Sequence, residues 1–275
     1  NATVRVYDTI LAELLPTPSK PHYTFNLRDL GKVFQGLLMA NSRKMGESSD
    51  KFLRMWVHEN MRVFMDRLIN EEDRSWFMNL CKREAELTVG CDWNNVKRER
   101  ILFGDYMVPG ADPKIYEEVK DLEALVPTIE EYLMDFNAES KTPMKLVMFL
   151  DAVEHVSRVS RILRQPQGNA LLLGVGGSGR QSLTRLATFM ADFQLSQIEI
   201  SKGYGLVEWR EDIKQVLMTA GLEDKTIVFL FSDTQIVFES MLEDVNNVLN
   251  GGDIPNIYNP EDLDNIVTTC RFECQ

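Results

Sequence analysis

At 275 residues, with 44% hydrophobic and 26% charged content, the chain is long enough for one large or two ordinary globular domains with ample core. Its formal charge of −12 at pH 7 excludes a nucleic-acid surface and a polybasic grip on lipid or on acidic protein tails. No apolar run approaches a membrane span and no basic-then-apolar leader opens the sequence, while the abrupt ends predict a fragment.

Residues 1–92 predict an all-helical domain. Val4 to Leu15 is a short amphipathic helix stopped by Pro16 and Pro18. Asn26 is an N-cap for a helix whose Leu27, Leu30, Phe34, Leu37 and Leu38 form one apolar face. Over 51–69, Leu53, Trp56, Val57, Met61, Phe64, Met65 and Leu68 fall on one side, and Arg54, Glu59, Arg62 and Asp66 on the other. A third helix covers Glu71 to Leu87, with Trp76, Phe77 and Leu80 inward. Gly90, Gly104, Gly110, Pro109 and Pro113 then break all periodicity, so 93–113 is expected to be a linker and 114–275 a second domain.

That second domain opens with a helix over Lys114 to Phe136, interrupted near Pro127. Another runs over Met144 to Leu163 on Leu146, Phe149, Leu150, Val153 and Val156. Ala170 to Leu173 predict a strand that runs into a glycine loop and a helix on Leu183, Leu186, Ala187 and Met190. A strand at Gln197 to Ser201 and a helix on Ile213, Val216, Leu217 and Ala220 follow. Thr226 to Phe231 is an unbroken apolar run, as in a strand buried on both faces of a parallel sheet. It ends at Ser232 and Asp233, at the carboxyl edge where open α/β sheets bind ligands. A helix from Phe238 to Leu249 and a Gly251-Gly252 turn complete an alternation that predicts a doubly wound α/β domain.

Cys81, Cys91, Cys270 and Cys274 are few and irregularly spaced, as free thiols of a reducing compartment are. His22, His58 and His155 are scattered, and core or capping roles are expected of them.

The chemistry is concentrated in Gly174, Val175, Gly176, Gly177, Ser178, Gly179, Arg180, Gln181 and Ser182. Glycines let successive backbone N–H groups converge on an anion, and the following helix adds its unpaired N–H groups and positive dipole end. Two motifs compete. The phosphate-binding P-loop wants Gly, four residues, Gly, Lys, then Ser or Thr; Gly174 and Gly179 fit, but Arg180 replaces the Lys and Gln181 the hydroxyl residue. The dinucleotide fingerprint is matched by Gly174, Gly176 and Gly179, with Glu199 twenty residues beyond as a ribose ligand. On spacing alone the second fits better, which would make the domain a nicotinamide-dependent enzyme.

Longer blocks carry a resemblance. His22 to Asp29 (His-Tyr-Thr-Phe-Asn-Leu-Arg-Asp), Trp56 to Glu59 and Arg62 to Leu68 are similar to the lid domain of dynein heavy chains. Gly174 to Leu186 resembles the phosphate loop of the fourth AAA+ module of axonemal dyneins, and Asp233 with Asn246 to Pro255 the region after its second strand motif. The resemblance spans essentially the whole chain. It implies an α/β P-loop NTPase (AAA+) parallel-sheet domain preceded by a small all-α lid, the lid belonging to the third module. It also implies ATP or ADP at Gly174 to Ser182 and neighbouring AAA+ modules and other dynein chains as partners. A microtubule would be reached through a stalk outside this fragment, and the location would be the axoneme of a cilium or flagellum.

By the same resemblance Arg28 is a second-sensor arginine for the preceding module. Ser232 stands where a metal-holding Asp is expected, and Asp233 where the catalytic Glu is. Ser182 and Asp233 would be left to hold Mg²⁺. These departures imply nucleotide binding with little or no hydrolysis, with a non-binding structural ring segment as the alternative.

Overall fold

A computed structural model describes residues 1–46, 48–98, 100–223 and 225–273. The chain divides into two compact units, residues 1–131 with 146–161, and residues 132–145 with 162–275.

The first unit is helical. It comprises α1 (Ala2–Glu13), α2 (Leu27–Leu38), α3 (Ser42–Met45), α4 (Ser49–Val63), a 3-10 turn at Met65–Arg67, α5 (Glu71–Val89) and α6 (Trp93–Val96). A two-stranded antiparallel ribbon follows, β1 (Phe103–Gly104) against β2 (Glu117–Glu118), with Phe103 opposite Glu118. The cap expected at Asn26 is formed. Its Oδ1 accepts the N–H groups of Arg28 at 2.8 Å and Asp29 at 3.3 Å, and Asp29 returns the bond to the Asn26 N–H at 3.0 Å. Val6, Ile10, Met55, Val57, Phe64 and Phe77 lie in one core, to which Ile101 and Phe103 from the Gly- and Pro-rich stretch and Tyr116 just beyond it also belong.

Two helix faces differ from expectation. On α2 the buried side is Asp29, Val33 and Gly36, whereas Leu27 is 73% and Leu38 84% exposed. On the inner side of α2 Val33 joins the core and Leu30 and Leu37 pack partly against it, while Asp29 pairs with Arg67 and Gly36 lies against Glu59. On α4, Glu59 is fully buried and the Arg62 side chain nearly so. That polar side faces α8 (Leu150–Arg164), which supplies Arg158 and Arg161 as partners.

α7 (Leu122–Glu139) begins where Asp121 accepts the N–H groups of Glu123 and Ala124, both at 3.0 Å, eight residues later than Lys114, and it carries Pro127 within it. α8 begins at Leu150, six residues after Met144. Asn137 binds both the N–H and the carbonyl of Met144, at 2.7 and 2.9 Å, which holds that segment out of a helix and leaves Phe149 exposed.

In the second unit α9 (Arg180–Met190) leads into β3 (Gln194–Ser196), then α10 (Leu206–Leu222), β4 (Ile227–Phe229), a 3-10 turn at Asp233–Gln235, α11 (Ser240–Gly251) and α12 (Pro260–Glu273). β3 and β4 pair in parallel, Leu195 opposite Val228. Ile198, Trp209, Ile213, Met241, Ile254 and Ile257 form its core, with Trp209 donating to Asp244 at 2.9 Å. The strand predicted at Gln197 to Ser201 lies three residues earlier, and β4 is half-buried, not covered on both faces. Ala170 to Leu173 form no strand. Leu171 and Leu173 are 84% and 83% exposed, because this stretch has no ladder partner among the described residues. No element is predicted over 256–273; α12 forms there behind a reciprocal Asn259–Asp262 cap, with bonds of 3.0 and 2.8 Å.

Candidate functional site

The glycine loop precedes α9 directly. Gly177 and Gly179 have φ of 81° and 79°, a backbone that side-chain-bearing residues avoid. Gly179 starts the helix and no side chain caps it, so the first-turn N–H groups of Arg180, Gln181 and Ser182 are left to face the loop. Within the loop the Ser178 N–H bonds to the Val175 carbonyl at 3.3 Å. A Cβ on Gly174 would lie 3.0 Å from Ser178 Oγ and 3.4 Å from Arg180 Cδ, so the two ends of the loop close on each other. Arg180 folds back. Its guanidinium donates to the carbonyls of Leu172 and Val175, both at 3.4 Å, long contacts that an anion could displace.

Asp233 stands on a different element, exposed, just past the carboxyl end of β4. The turn that carries it is held by Gln235, a buried side chain. Gln235 accepts the Ser232 N–H at 2.7 Å and donates to the Ile198 carbonyl at 2.5 Å. It thereby ties the segment after β4 to the segment after β3. The Ser-x-x-Gln spacing of a capping box was the legible signal for this residue.

α9 runs back along β3, because it feeds that strand through a tight turn and because Arg185 in its second turn reaches Gln197, just beyond the strand's end, at 2.6 Å. The amino end of α9 and Asp233 therefore belong to the same carboxyl edge of the β3–β4 pair. No hydrogen bond or ion pair links Asp233 to the loop among the described residues. Ser182 is half-buried one position beyond Gln181. Glu199 lies exposed three residues past the end of β3, and Arg28 lies exposed at the start of α2 in the first unit.

Among the described residues no group of three His, Cys, Asp or Glu side chains could hold a metal ion, and no helix is long and apolar enough to cross a membrane. Cys81, Cys91 and Cys270 are free thiols, and burial pushes the Cys81 thiol far up; Cys274 lies outside the described residues.

The first unit holds a polar centre that helical patterning concealed. Glu59 receives Arg161 Nε at 2.9 Å and a second bond from the same guanidinium, while Tyr116 donates its hydroxyl to the other carboxylate oxygen at 2.9 Å. The Tyr116 oxygen also lies 3.2 Å from His58 Nε2, and His58 Nδ1 donates to the Ile101 carbonyl at 2.9 Å. Burial, then the charge of Arg62, holds the His58 pKa well below the usual 6.5, so the ring is neutral. All of these side chains are sealed from solvent, so they are architectural.

A parallel strand pair, a glycine loop opening a helix and a polar turn at the carboxyl edge, behind an all-α lid, define an α/β P-loop NTPase domain of the AAA+ class. The family description "P-loop containing dynein motor region D4" matches residues 144–275, and "Dynein heavy chain, ATPase lid domain" matches residues 1–74. Dynein axonemal heavy chain 1 of Mus musculus is 56% identical over 272 residues, covering 98% of this chain and 6% of the relative. The Homo sapiens protein of that name is likewise 56% identical over 275 residues, with 98% and 6% covered. Dynein axonemal heavy chain 3 of Mus musculus is 45% identical over 282 residues, covering 97% of this chain and 7% of the relative. The chain belongs to the axonemal dynein heavy chain family, and it spans about 6% of the length of the two dynein axonemal heavy chain 1 relatives. The matching description is of a P-loop-containing region over residues 144–275, not of the dinucleotide-binding domain that spacing alone favoured.

Proposed function

We propose that this chain is a nucleotide-holding segment of an axonemal dynein motor ring: the lid of the third AAA+ module, residues 1–92, a linker over 93–113, and the large domain of the fourth, residues 114–275. ATP or ADP binds at Gly174 to Ser182 and is hydrolysed little or not at all. The observation that carries this reading is the start of α9, uncapped by any side chain and beside two left-handed glycines, which leaves first-turn main-chain N–H groups for an anion to meet. Arg180 leaves its carbonyl partners to meet phosphate, as a planar fork in place of a compact ammonium. Ser182 and Asp233 are the residues available to Mg²⁺. With a serine ahead of Asp233 and no hydroxyl at Gln181, the metal and the attacking water are weakly held, and a misplacement of about 1 Å costs about a hundredfold in rate.

In the assembled heavy chain Arg28 serves as second sensor for the preceding module. The exposed stripe of Leu27, Gly31, Phe34 and Leu38 beside it packs on a neighbouring AAA+ module of the same chain. Work is delivered to a microtubule through a stalk elsewhere in the heavy chain, with other dynein chains, in the axoneme of a cilium or flagellum.

Equilibrium dialysis of ATP and ADP against the chain, with Arg180→Ala and Asp233→Asn beside it, tests the reading. Wild type retains nucleotide, Arg180→Ala retains less, and phosphate release is near background in all three. Absence of binding in wild type rejects nucleotide holding and leaves the purely structural segment, which the back-folded Arg180 favours. Steady phosphate release abolished by Asp233→Asn rejects the hydrolysis-deficient site.

A further inference from the structure

The sequence Thr-Pro-x-Lys occurs twice, at Thr17-Pro18-Ser19-Lys20 and at Thr142-Pro143-Met144-Lys145. Proline-directed serine/threonine kinases accept such a segment in extended form, with a trans proline next to the acceptor and a free basic side chain three residues on to meet acidic groups. The fold treats the two copies differently.

Thr17 and Lys20 close on each other. The Lys20 N–H donates to the Thr17 carbonyl at 2.9 Å, the Thr17 N–H to the Lys20 carbonyl at 3.4 Å, and the Lys20 ammonium is held by Asp73 at 2.5 Å. The backbone is a turn and the cation is taken.

Thr142 is exposed on the segment between α7 and α8, and the Thr142–Pro143 bond is trans. Ser140 Oγ accepts the Thr142 N–H at 3.1 Å and Asn137 brackets Met144 by two bonds, so 140–143 is a short bent excursion that extends once this side-chain bracket opens. From Pro143 to Phe149 the backbone is neither helical nor laddered, and exposed Lys145 has no ion pair among the described residues.

We propose that Thr142 is a phosphoacceptor site for a proline-directed serine/threonine kinase, and that Thr17 is a silent copy of the same motif. In the transfer Thr142 Oγ attacks the γ-phosphorus of Mg-ATP held by the kinase, the bond from that phosphorus to the β,γ-bridging oxygen breaks, and ADP leaves with the electron pair. The hydroxyl proton passes to the kinase's catalytic aspartate. The product carries a charge of about −1.5 to −2 at pH 7. It sits three residues beyond Glu139, the last residue of α7, where the negative end of the helix dipole opposes it. Modification therefore loosens the last turn of α7 and the Asn137–Met144 bracket. The inference is independent of nucleotide at the glycine loop.

The test is phosphorylation of the heavy chain containing this sequence by a cyclin-dependent kinase as probe, with sites located by phosphopeptide mass spectrometry. Label is expected at Thr142 and not at Thr17, to be lost in Thr142→Val and kept in Thr142→Ser. Lys145→Ala is expected to lower kcat/KM for this site about tenfold, the weight of one good charge contact. Hydrogen exchange over 137–144 is expected to quicken after modification. Label at Thr17 in place of Thr142, or none at Thr142 in both wild type and Thr142→Ser, overturns the proposal. Unchanged exchange in fully modified protein overturns its structural consequence.

Discussion

The two units handle polar groups in opposite ways. In the first, ionic groups are buried and satisfied by other side chains: Glu59, Arg161, Tyr116 and His58 form a closed set beneath Gly36. In the second, the groups of interest are main-chain N–H donors at the start of α9, left open, and the stretch leading into them exposes Leu171 and Leu173. Side-chain chemistry fixes a fold in one unit, and main-chain donors are left without side-chain caps at the start of α9 in the other. Substitutions should therefore damage the first unit through stability and the second through binding.

The largest expected effect is at Glu59. Glu59→Ala strands the Arg161 guanidinium without its buried partner, and removal of one member of such a pair costs about 3–5 kcal/mol. Urea unfolding followed through the first unit's tryptophans measures it. A loss below about 1 kcal/mol would mean that the pair is hydrated, and the contrast with the second unit would weaken. Gly36→Ala comes next. A Cβ there would fall 1.8 Å from Glu59 Oε2, and that carboxylate is clamped by Arg161 and Tyr116, so it cannot swing aside freely. The expected cost is about 1–3 kcal/mol despite the better helix propensity of alanine. The double variant Gly36→Ala with Glu59→Ala should recover part of it, since the clash is gone.

Much of the first unit was legible because its helices carry local signals: Asn26 caps, Pro16 and Pro18 stop α1, and the apolar residues of α4 and α5 repeat at helical spacing. The outward turn of Leu27 and Leu38 on α2 was not legible. Periodicity locates an apolar stripe without saying what covers it, and part of the inner side of α2 was claimed by Asp29 and Gly36 for partners 38 and 23 residues away in sequence. Glu59 and Arg62 misled for the same reason, since charged residues opposite an apolar face read as solvated until α8 is known to lie there. At the glycine loop, spacing identified the turn and its helix but favoured the dinucleotide motif, whereas the family description is of a P-loop-containing region. Gln235, which holds Asp233's turn, acts through a long-range bond to Ile198 that no local pattern displays.

A smaller effect follows from pH. Burial and Arg62 depress the His58 pKa well below 6.5. Its ring stays neutral in the folded state while the unfolded chain takes up a proton there. The stability contributed is complete above about pH 6.5 and declines as pH falls toward the depressed folded value, by at most about 1.4 kcal/mol per pH unit. Unfolding at pH 7.5 and 5.5 should show the first unit weakened at the lower pH. His58→Gln should be less stable at pH 7.5 yet show a shallower slope. A slope unchanged in that variant would mean that His58 is not sealed as the hydrogen bond to Ile101 requires.

The smallest effect separates the units most directly. If Ala170 to Leu173 were a buried strand, Leu171→Lys or Leu173→Lys would cost several kcal/mol through lost burial and a stranded charge. In this chain both side chains are more than four-fifths exposed, so each substitution should change its unfolding free energy by about 0.5 kcal/mol or less. The same substitutions placed in a full-length heavy chain give the decisive contrast. A large cost there and none here would show that residues outside this sequence cover the stretch leading into the glycine loop, so that its geometry is completed only on assembly. A large cost in this chain alone would instead mean that Leu171 and Leu173 are packed in solution, and the openness that distinguishes the second unit from the first would be lost.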